Sequence, residues 1–317
     1  MIHLSAWRPE IKAALKPSVP VRFGNVAPLK DNGANKRFAV VGDTGTGDIH
    51  QYVIGRRMWE TYQRTPFNHV VMLGDNVYEN GEPQYFEARL QRPYRPLLDS
   101  GVEFDSVLGN HDVRKGYGDE QLKFLNKPRW YNFKIGNAGD DVEFFAIDTT
   151  IMAPLYDNAY ANELPRALRL AKEQRQWLET ALSQSTAKYK IVYGHYPLYS
   201  SGAHSYKNTT NGAMRAQLGP VLAQYGVDAY LSGHEHLYER SAPIEGTTHF
   251  VSGGGGKITS VMQAKADHPR ETVQAKYHFM LFEITPQGLA FEAINRKGNV
   301  MDKGVIPPKS ARQLAFA

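Results

Sequence analysis

The sequence predicts an α/β fold. Apolar runs of strand length alternate with helical stretches through most of the chain, and the C-terminal part turns to strands and tight turns alone. A further observation locates the chemistry. Five apolar runs end in a Gly followed by Asp, Asn or His. They are Phe38–Gly42 before Asp43, Val70–Gly74 before Asp75, Asp105–Gly109 before Asn110 and His111, Lys190–Gly194 before His195, and Ala229–Gly233 before His234, with His236 two residues on. In α/β sheets ligands sit beyond the carboxyl ends of the strands. Five strand ends that each deliver an oxygen or imidazole donor therefore point to one metal site.

Residues 1–36 contain Pro17, Pro20 and Pro28 and end in a polar run; they read as an N-terminal extension ahead of one domain spanning 37–317. The first strand covers 37–42. The loop Asp43–Asp48 carries Gly45 and Gly47, and Asp48 is placed to N-cap a helix over 49–64. Such a loop entering a helix N-terminus also suits an anion. After the 70–75 strand come a helix over about 83–98, a strand at 104–108 and a polar loop from Asn110 to Tyr117. A helix over 119–126 stops before Pro128, and strands near 130–135 and 142–148 form a hairpin across Asn137–Asp140. An irregular loop covers 149–162, and a long amphipathic helix then runs from Pro165, a first-turn proline, to Ser183. Strand 188–194 leads into a polar loop over 196–211, of a length common at functional sites. Helix 212–225 and strand 227–232 follow, then strand over 238–252, a turn at Gly253–Gly256, and strands at 277–285, 289–295 and 301–306.

Of the 317 residues 42% are hydrophobic and 22% charged, a globular balance, and no apolar run reaches the length of a membrane helix. The absence of cysteine excludes disulfides, zinc–thiolate sites, iron–sulfur clusters and cysteine nucleophiles. Met1–Lys16 lacks the apolar core of a secretory signal, which leaves a cytosolic protein or one whose leader has been removed. The net charge of +5 reads first as a mildly basic surface; a positive potential would help draw phosphorylated substrates in, but no Lys/Arg block is dense enough for nucleic-acid binding.

Within the set, Val70–Tyr78 is central. A carboxylate at Asp75 has two oxygens and can bridge two metal ions, and a phenol three residues later, Tyr78, can curl back over the same turn to meet one of them. Taken singly, Asp43 and Asp75 have a second reading as turn acids, Asn110 as a turn former and His195 as a core histidine. Their joint occurrence at five strand ends favours the metal site. His69, His50, His249, His268 and His278 lack such company and read as structural, and Asp148 reads as a hydrogen-bonding turn residue.

Asp43 in Gly-Asp-Thr-Gly, Asp75 in Gly-Asp-Asn-Val-Tyr, Asn110-His111-Asp112, His195 in Gly-His-Tyr-Pro, and His234 and His236 in Gly-His-Glu-His resemble the motif blocks of the calcineurin-like metallophosphoesterases. Tyr78 and the run Gly233–Arg240 are similar to the purple acid phosphatase branch, in its short single-domain type. The resemblance implies two packed mixed β-sheets flanked by helices. It also implies two metal ions, an Fe(III) held by Asp43, Asp75, Tyr78 and His236, and a divalent Fe, Zn or Mn held by Asp75, Asn110, His195 and His234. The donor types agree: ferric iron prefers carboxylate and phenolate, while imidazole and amide oxygen do not choose among the divalent ions.

The implied activity is that of an acid phosphatase. Hydroxide formed from metal-bound water would attack a phosphate monoester in line. The resemblance implies that His111, beside Asn110, contacts the phosphate and protonates the leaving group, with His204 in the 196–211 loop as a second candidate for substrate contact and proton donation. For His204 an exposed loop histidine is an equal reading. Asp112 either orients His111 or caps a turn. The expected substrate is a phosphorylated small molecule or phosphoprotein, with no nucleic-acid partner and no membrane span. The oligomeric state is open, and the resemblance favours a periplasmic or secreted location. Two alternatives stand beside this reading: a phosphodiesterase acting on nucleotides or phospholipid headgroups, and a non-catalytic phosphate-binding protein on the same scaffold.

Overall fold

The computed structural model describes residues 36–137, 141–156, 160, 163–204, 210–260 and 267–308. In chain order its strands are β1 (Arg37–Val41), β2 (His69–Met72), β3 (Glu103–Ser106), β4 (Tyr131–Ile135), β5 (Val142–Ala146), β6 (Tyr189–Tyr193) and β7 (Ala229–Ser232). They continue with β8 (Tyr238–Ser241), β9 (Thr248–Ser252), β10 (Arg270–Gln274), β11 (His278–Thr285), β12 (Gly288–Asn295) and β13 (Val300–Ile306). The helices are α1 (Ile49–Tyr62), α2 (Arg95–Asp99), α3 (Asn110–Val113), α4 (Gly118–Leu125), α5 (Leu164–Gln184) and α6 (Thr210–Gln224).

The strands form two mixed sheets, ordered β13-β12-β11-β1-β2-β3 and β10-β8-β9-β7-β6-β5-β4. β1, β2 and β3 are mutually parallel in the first, and β5, β6, β7 and β9 are parallel in the second. The apolar runs are continuous because both faces of these strands are covered. In β1, Phe38 and Val40 point into the core shared by the sheets, while Ala39 and Val41 join the cluster containing Ile54 and Met58 of α1. In β5, Phe144 and Ala146 face the shared core, while Phe145 packs with Leu178 and Leu182 of α5 and Leu218 and Leu222 of α6. Helices thus cover the outer face of each sheet, giving four layers. Across the shared core Phe282 stacks on Phe38 (4.8 Å between ring centroids) and Phe133 on Phe144 (4.7 Å), while Phe38 and Phe144 meet edge to face at 4.8 Å.

Local signals account for most element ends. The Asp48 carboxylate accepts from the N–H groups of His50 (2.8 Å) and Gln51 (3.3 Å), so the start of α1 is capped by its own acid and is no anion site. Asn126 takes a left-handed φ of 53° after α4, and the Lys127 N–H returns to the Leu122 carbonyl at 3.0 Å.

Four stretches differ from expectation. The helix over 83–98 is a chain of short pieces: 3₁₀ turns at Pro83–Tyr85 and Arg92–Tyr94, a π turn at Glu87–Gln91, and α2. Pro93 and Pro96 cannot donate to a regular helical ladder. The polar loop after β3 opens with the single turn α3. The 238–252 stretch divides into β8 and β9 at a tight turn in which Ile244 and Thr247 exchange backbone hydrogen bonds of 2.8 and 2.9 Å. β10, antiparallel to β8, was not expected. The N-terminal extension, apart from Lys36, lies outside the described residues, as does most of the turn between β4 and β5. No helix among the described residues is long and apolar enough to cross a membrane.

Candidate metal centre

The residues that follow β1, β2, β3, β6 and β7 come together in space, so the five strand ends deliver their donors to one place. The Tyr78 hydroxyl donates to Asp43 Oδ1 at 3.2 Å and lies 3.2 Å from His236 Nε2. His236 Nε2 is 3.5 Å from Asp43 Oδ1, and one ligand atom each from Asp43, Asp75 and His236 fall within 4.8 Å of one another. On the other side, His195 Nε2 is 2.9 Å from Asn110 Oδ1 and 3.5 Å from Asp75 Oδ1. The His234 ring lies 5.1 Å from that of His195. Asp75 therefore belongs to both groups.

The backbone is bent sharply to achieve this. Asp43, Asp75 and His234 have φ of 56°, 52° and 69°, a left-handed conformation uncommon for residues other than Gly. Hydrogen bonds hold it: Asp43 N–H donates to the Gly74 carbonyl at 3.0 Å, and His234 N–H donates to both Asp43 oxygens at 3.1 and 2.9 Å. Gly109 is required for close approach, because a Cβ there would sit 2.2 Å from Asp75 Oδ1.

Asp112 resolves as a cap. Its carboxylate accepts from Gly109 N–H (2.8 Å), Asn76 N–H (3.1 Å), Val77 N–H (2.9 Å) and Gln121 Nε2 (2.8 Å). It ties the turn after β2 to the turn after β3, where Asp75 and Asn110 stand. Burial, followed by the Asp75 charge, pushes its pKa up to about 7 against these donors.

The donor set suits metal ions. His195 Nδ1 faces the Leu73 carbonyl at 2.9 Å, so that nitrogen carries the proton and Nε2 is left as the ligand atom. In the neutral ring this lone pair faces the amide oxygen of Asn110, an arrangement that a second proton or a cation resolves. Burial alone would lower the His195 pKa, but Asp75 and Asp43 more than offset it and hold it above the usual value. Burial and then the neighbouring histidines hold His234 well below the usual range, as a neutral imidazole. Burial and then the Asp43 and Asp75 carboxylates push Tyr78 well above the usual phenol range. Its phenolate thus requires a strong Lewis acid at the oxygen.

His111 and His204 stand at the rim. The His111 N–H donates to Asp75 Oδ1 at 3.0 Å. Its Nδ1 donates to the Glu79 carbonyl at 2.6 Å, leaving Nε2 4.0 Å from Asp75 Oδ2. The His204 ring is 4.6 Å from that of His234, and its Nδ1 lies 3.2 Å from Glu235 Oε2.

Of the remaining described histidines, His50, His69, His268 and His278 have structural partners, as does Asp148. His69 Nδ1 meets Asp105 Oδ2 at 2.8 Å, and Asp148 accepts from Arg129 and from Thr150 N–H. His50 stacks on Tyr277, while His278 donates to the Lys276 carbonyl and meets Ser252. His268 is more than a bystander, since its Nε2 meets the buried Glu239, which also holds Ser201 of the His204 loop. Glu79, Glu235 and Lys257, whose ammonium lies 3.6 Å over the Tyr78 ring, were not singled out by sequence. Glu235, between the two histidines of Gly-His-Glu-His, was the one whose position offered a signal.

The chain matches the calcineurin-like phosphoesterase family over residues 36–238. It is 31% identical over 245 residues to purple acid phosphatase 3 of Arabidopsis thaliana, covering 72% of this chain and 65% of that protein. It is 24% identical to tartrate-resistant acid phosphatase type 5 of Oryctolagus cuniculus, covering 86% of this chain and 91% of that one. Among solved structures, a purple acid phosphatase from yellow lupin (Lupinus luteus) seeds superposes with a TM-score of 0.68 at 18% identity, over 84% of this chain and 53% of that chain. Plasmodium GAP50, described as the anchor in the inner membrane complex, also superposes with a TM-score of 0.68, at 20% identity over 86% of this chain and 89% of its own.

Asp112→Ala leaves three buried backbone N–H groups without their acceptor, which is expected to cost about 3 kcal/mol or more and to loosen both donor turns. Thermal unfolding and metal content should fall together; a variant that melts like wild type with full metal content contradicts the anchoring role.

Proposed function

The chain belongs to the calcineurin-like phosphoesterase family, and we propose that it is a two-metal acid phosphatase acting on phosphate monoesters. The observation that carries this is the place of Asp75, one carboxylate within reach of two donor groups. Asp43, Tyr78 and His236 with Asp75 would hold Fe(III); Asn110, His195 and His234 with Asp75 would hold a divalent Fe, Zn or Mn. When bound, the pair supplies charge neutralisation to the phosphoryl oxygens and acidifies water.

The remaining residues bind the ester and move its proton. His111 donates through Nδ1 to the Glu79 carbonyl, so Nε2 is the nitrogen that gains and loses a proton. It faces the cluster from beside Asp75 and is placed to protonate the departing alkoxide. Asn110 contacts the phosphate beside it. His204, with Glu235 behind Nδ1, approaches from the His234 side and contacts the same phosphate.

The donor set argues for an enzyme over a non-catalytic phosphate-binding protein on the same scaffold. Hydrolysis of p-nitrophenyl phosphate against its bis ester separates monoesterase from diesterase. If metal-loaded protein turns over neither, the enzyme reading fails.

His111→Ala should keep both metals while kcat falls on the order of 10²–10⁴-fold, the usual worth of a positioned acid. The loss should be smaller for nitrophenyl than for alkyl phosphates; equal losses contradict proton donation. Tyr78→Phe should abolish a visible charge-transfer band of the iron-loaded protein while leaving iron bound by the other ligands, since filled-shell Zn(II) gives no such band. Absorption spectra recorded with iron content test this. A band that persists in Tyr78→Phe, or is absent from oxidised iron-loaded wild type, removes the ferric phenolate.

A further inference from the structure

A cavity of about 600 Å³ adjoins the metal centre. Tyr78 and His236 line it, together with two cations, Lys257 and Arg89. Its acids are already committed. Asp48 caps α1 through two backbone N–H groups, and Glu79 pairs with Lys257 at 3.0 Å. Arg89 is half-buried, and among the described residues its guanidinium meets the Tyr85 ring at 4.1 Å but no carboxylate within ion-pair distance. Glu82 and Glu79 act on its charge only at longer range, so this half-buried cation has no directly paired carboxylate and favours an anionic ligand.

Both cations are held in place by backbone. Gln51 Nε2 donates to the Arg89 carbonyl at 2.6 Å, and Tyr52 Oη donates to the Ala88 carbonyl at 3.3 Å, fixing the π turn against α1. Gly47, with φ of 70°, leaves room for the Arg89 side chain: a Cβ there would lie 3.0 Å from its Nε. On either side of Lys257, Gly255 N–H donates to the Gly42 carbonyl and Thr259 N–H to the His236 carbonyl, both at 3.0 Å. Lys257 is thus clamped to the strand end that delivers Asp43 and to the metal-site histidine.

We propose that this cavity is a leaving-group subsite in which Arg89, assisted by Lys257, binds a second anionic group on the substrate. The preferred substrates are then phosphomonoesters whose leaving group itself carries a phosphate. The proposal rests on the phosphatase reading, which puts the scissile phosphate at the metal centre. It assigns Arg89 a binding role, distinct from the reacting atoms.

Fructose 1,6-bisphosphate and fructose 6-phosphate differ by one phosphate and make the test. Wild type should show the higher kcat/KM for the bisphosphate. Arg89→Gln should lower the ratio of the two kcat/KM values about tenfold, the worth of one charge-assisted hydrogen bond, through KM and not kcat. Arg89→Lys should restore part of it, which a merely structural role would not predict. An unchanged ratio in Arg89→Gln, or no preference in wild type, overturns the subsite. If neither sugar phosphate is turned over, p-nitrophenyl phosphate shows whether the phosphatase reading is what fails, and calorimetric titration of the metal-loaded protein with the two sugar phosphates still decides the subsite. Tighter binding of the bisphosphate that Arg89→Gln removes supports the subsite, and equal binding refutes it.

Discussion

Two carboxylates, Asp43 and Asp75, are buried side by side at the ends of neighbouring strands, 0% and 1% exposed, and the rest of the site is arranged to make that tolerable. An ion withdrawn from water loses several kcal/mol of solvation. Some is returned locally, since His234 N–H donates to Asp43 and His111 N–H to Asp75. Burial would raise the Asp75 pKa, yet His195 and then His111 more than offset it and keep the carboxylate ionised. Imidazoles alone are a poor counter-charge, because His234 is itself held neutral by burial. Cations within the cluster would complete the balance, which is why the pattern reads as a metal centre and not as a polar core.

This concentration of charge needs a rigid frame. The strands that deliver the donors are buried on both faces, so a slip of one residue would misplace every donor. Strained backbone at Asp43, Asp75 and His234 is held by bonds from the opposite sheet or the adjacent strand, as such strain must be. Asp112 binds the two central turns to each other. The same frame that holds the donor cluster also fixes Lys257 and, through α1, Arg89, so the cavity beside the cluster has the rigidity that recognition of a second anion requires.

The fold and the donor set were legible because each leaves a local mark. A buried strand in a two-sided sheet is an unbroken apolar run, Gly ends it, and the next residue is the donor. Caps such as Asp48 and Asn126 mark helix ends in the same local way. What was not legible depends on partners distant in sequence. Asp112 could not be assigned between orienting His111 and capping, because its partners Asn76 and Val77 are some 35 residues away. The Glu79 carbonyl that fixes the His111 tautomer has no side-chain signature. Lys257 follows a glycine run that reads only as a turn, and β10 exists because β8 offers it an edge. The helical stretch expected over 83–98 is broken because Pro93 and Pro96 lack donors, which outweighs the helical periodicity around them.

The central claim is that Asp75 bridges two metal ions, and metal counting tests it most directly. Purified protein loaded with iron and a divalent metal, then stripped of excess, should hold two metal atoms per chain, and Asp75→Ala should lose both metal and activity while remaining folded by circular dichroism. Two metals retained at full occupancy in Asp75→Ala, or a wild type that binds one at saturation, would contradict the account.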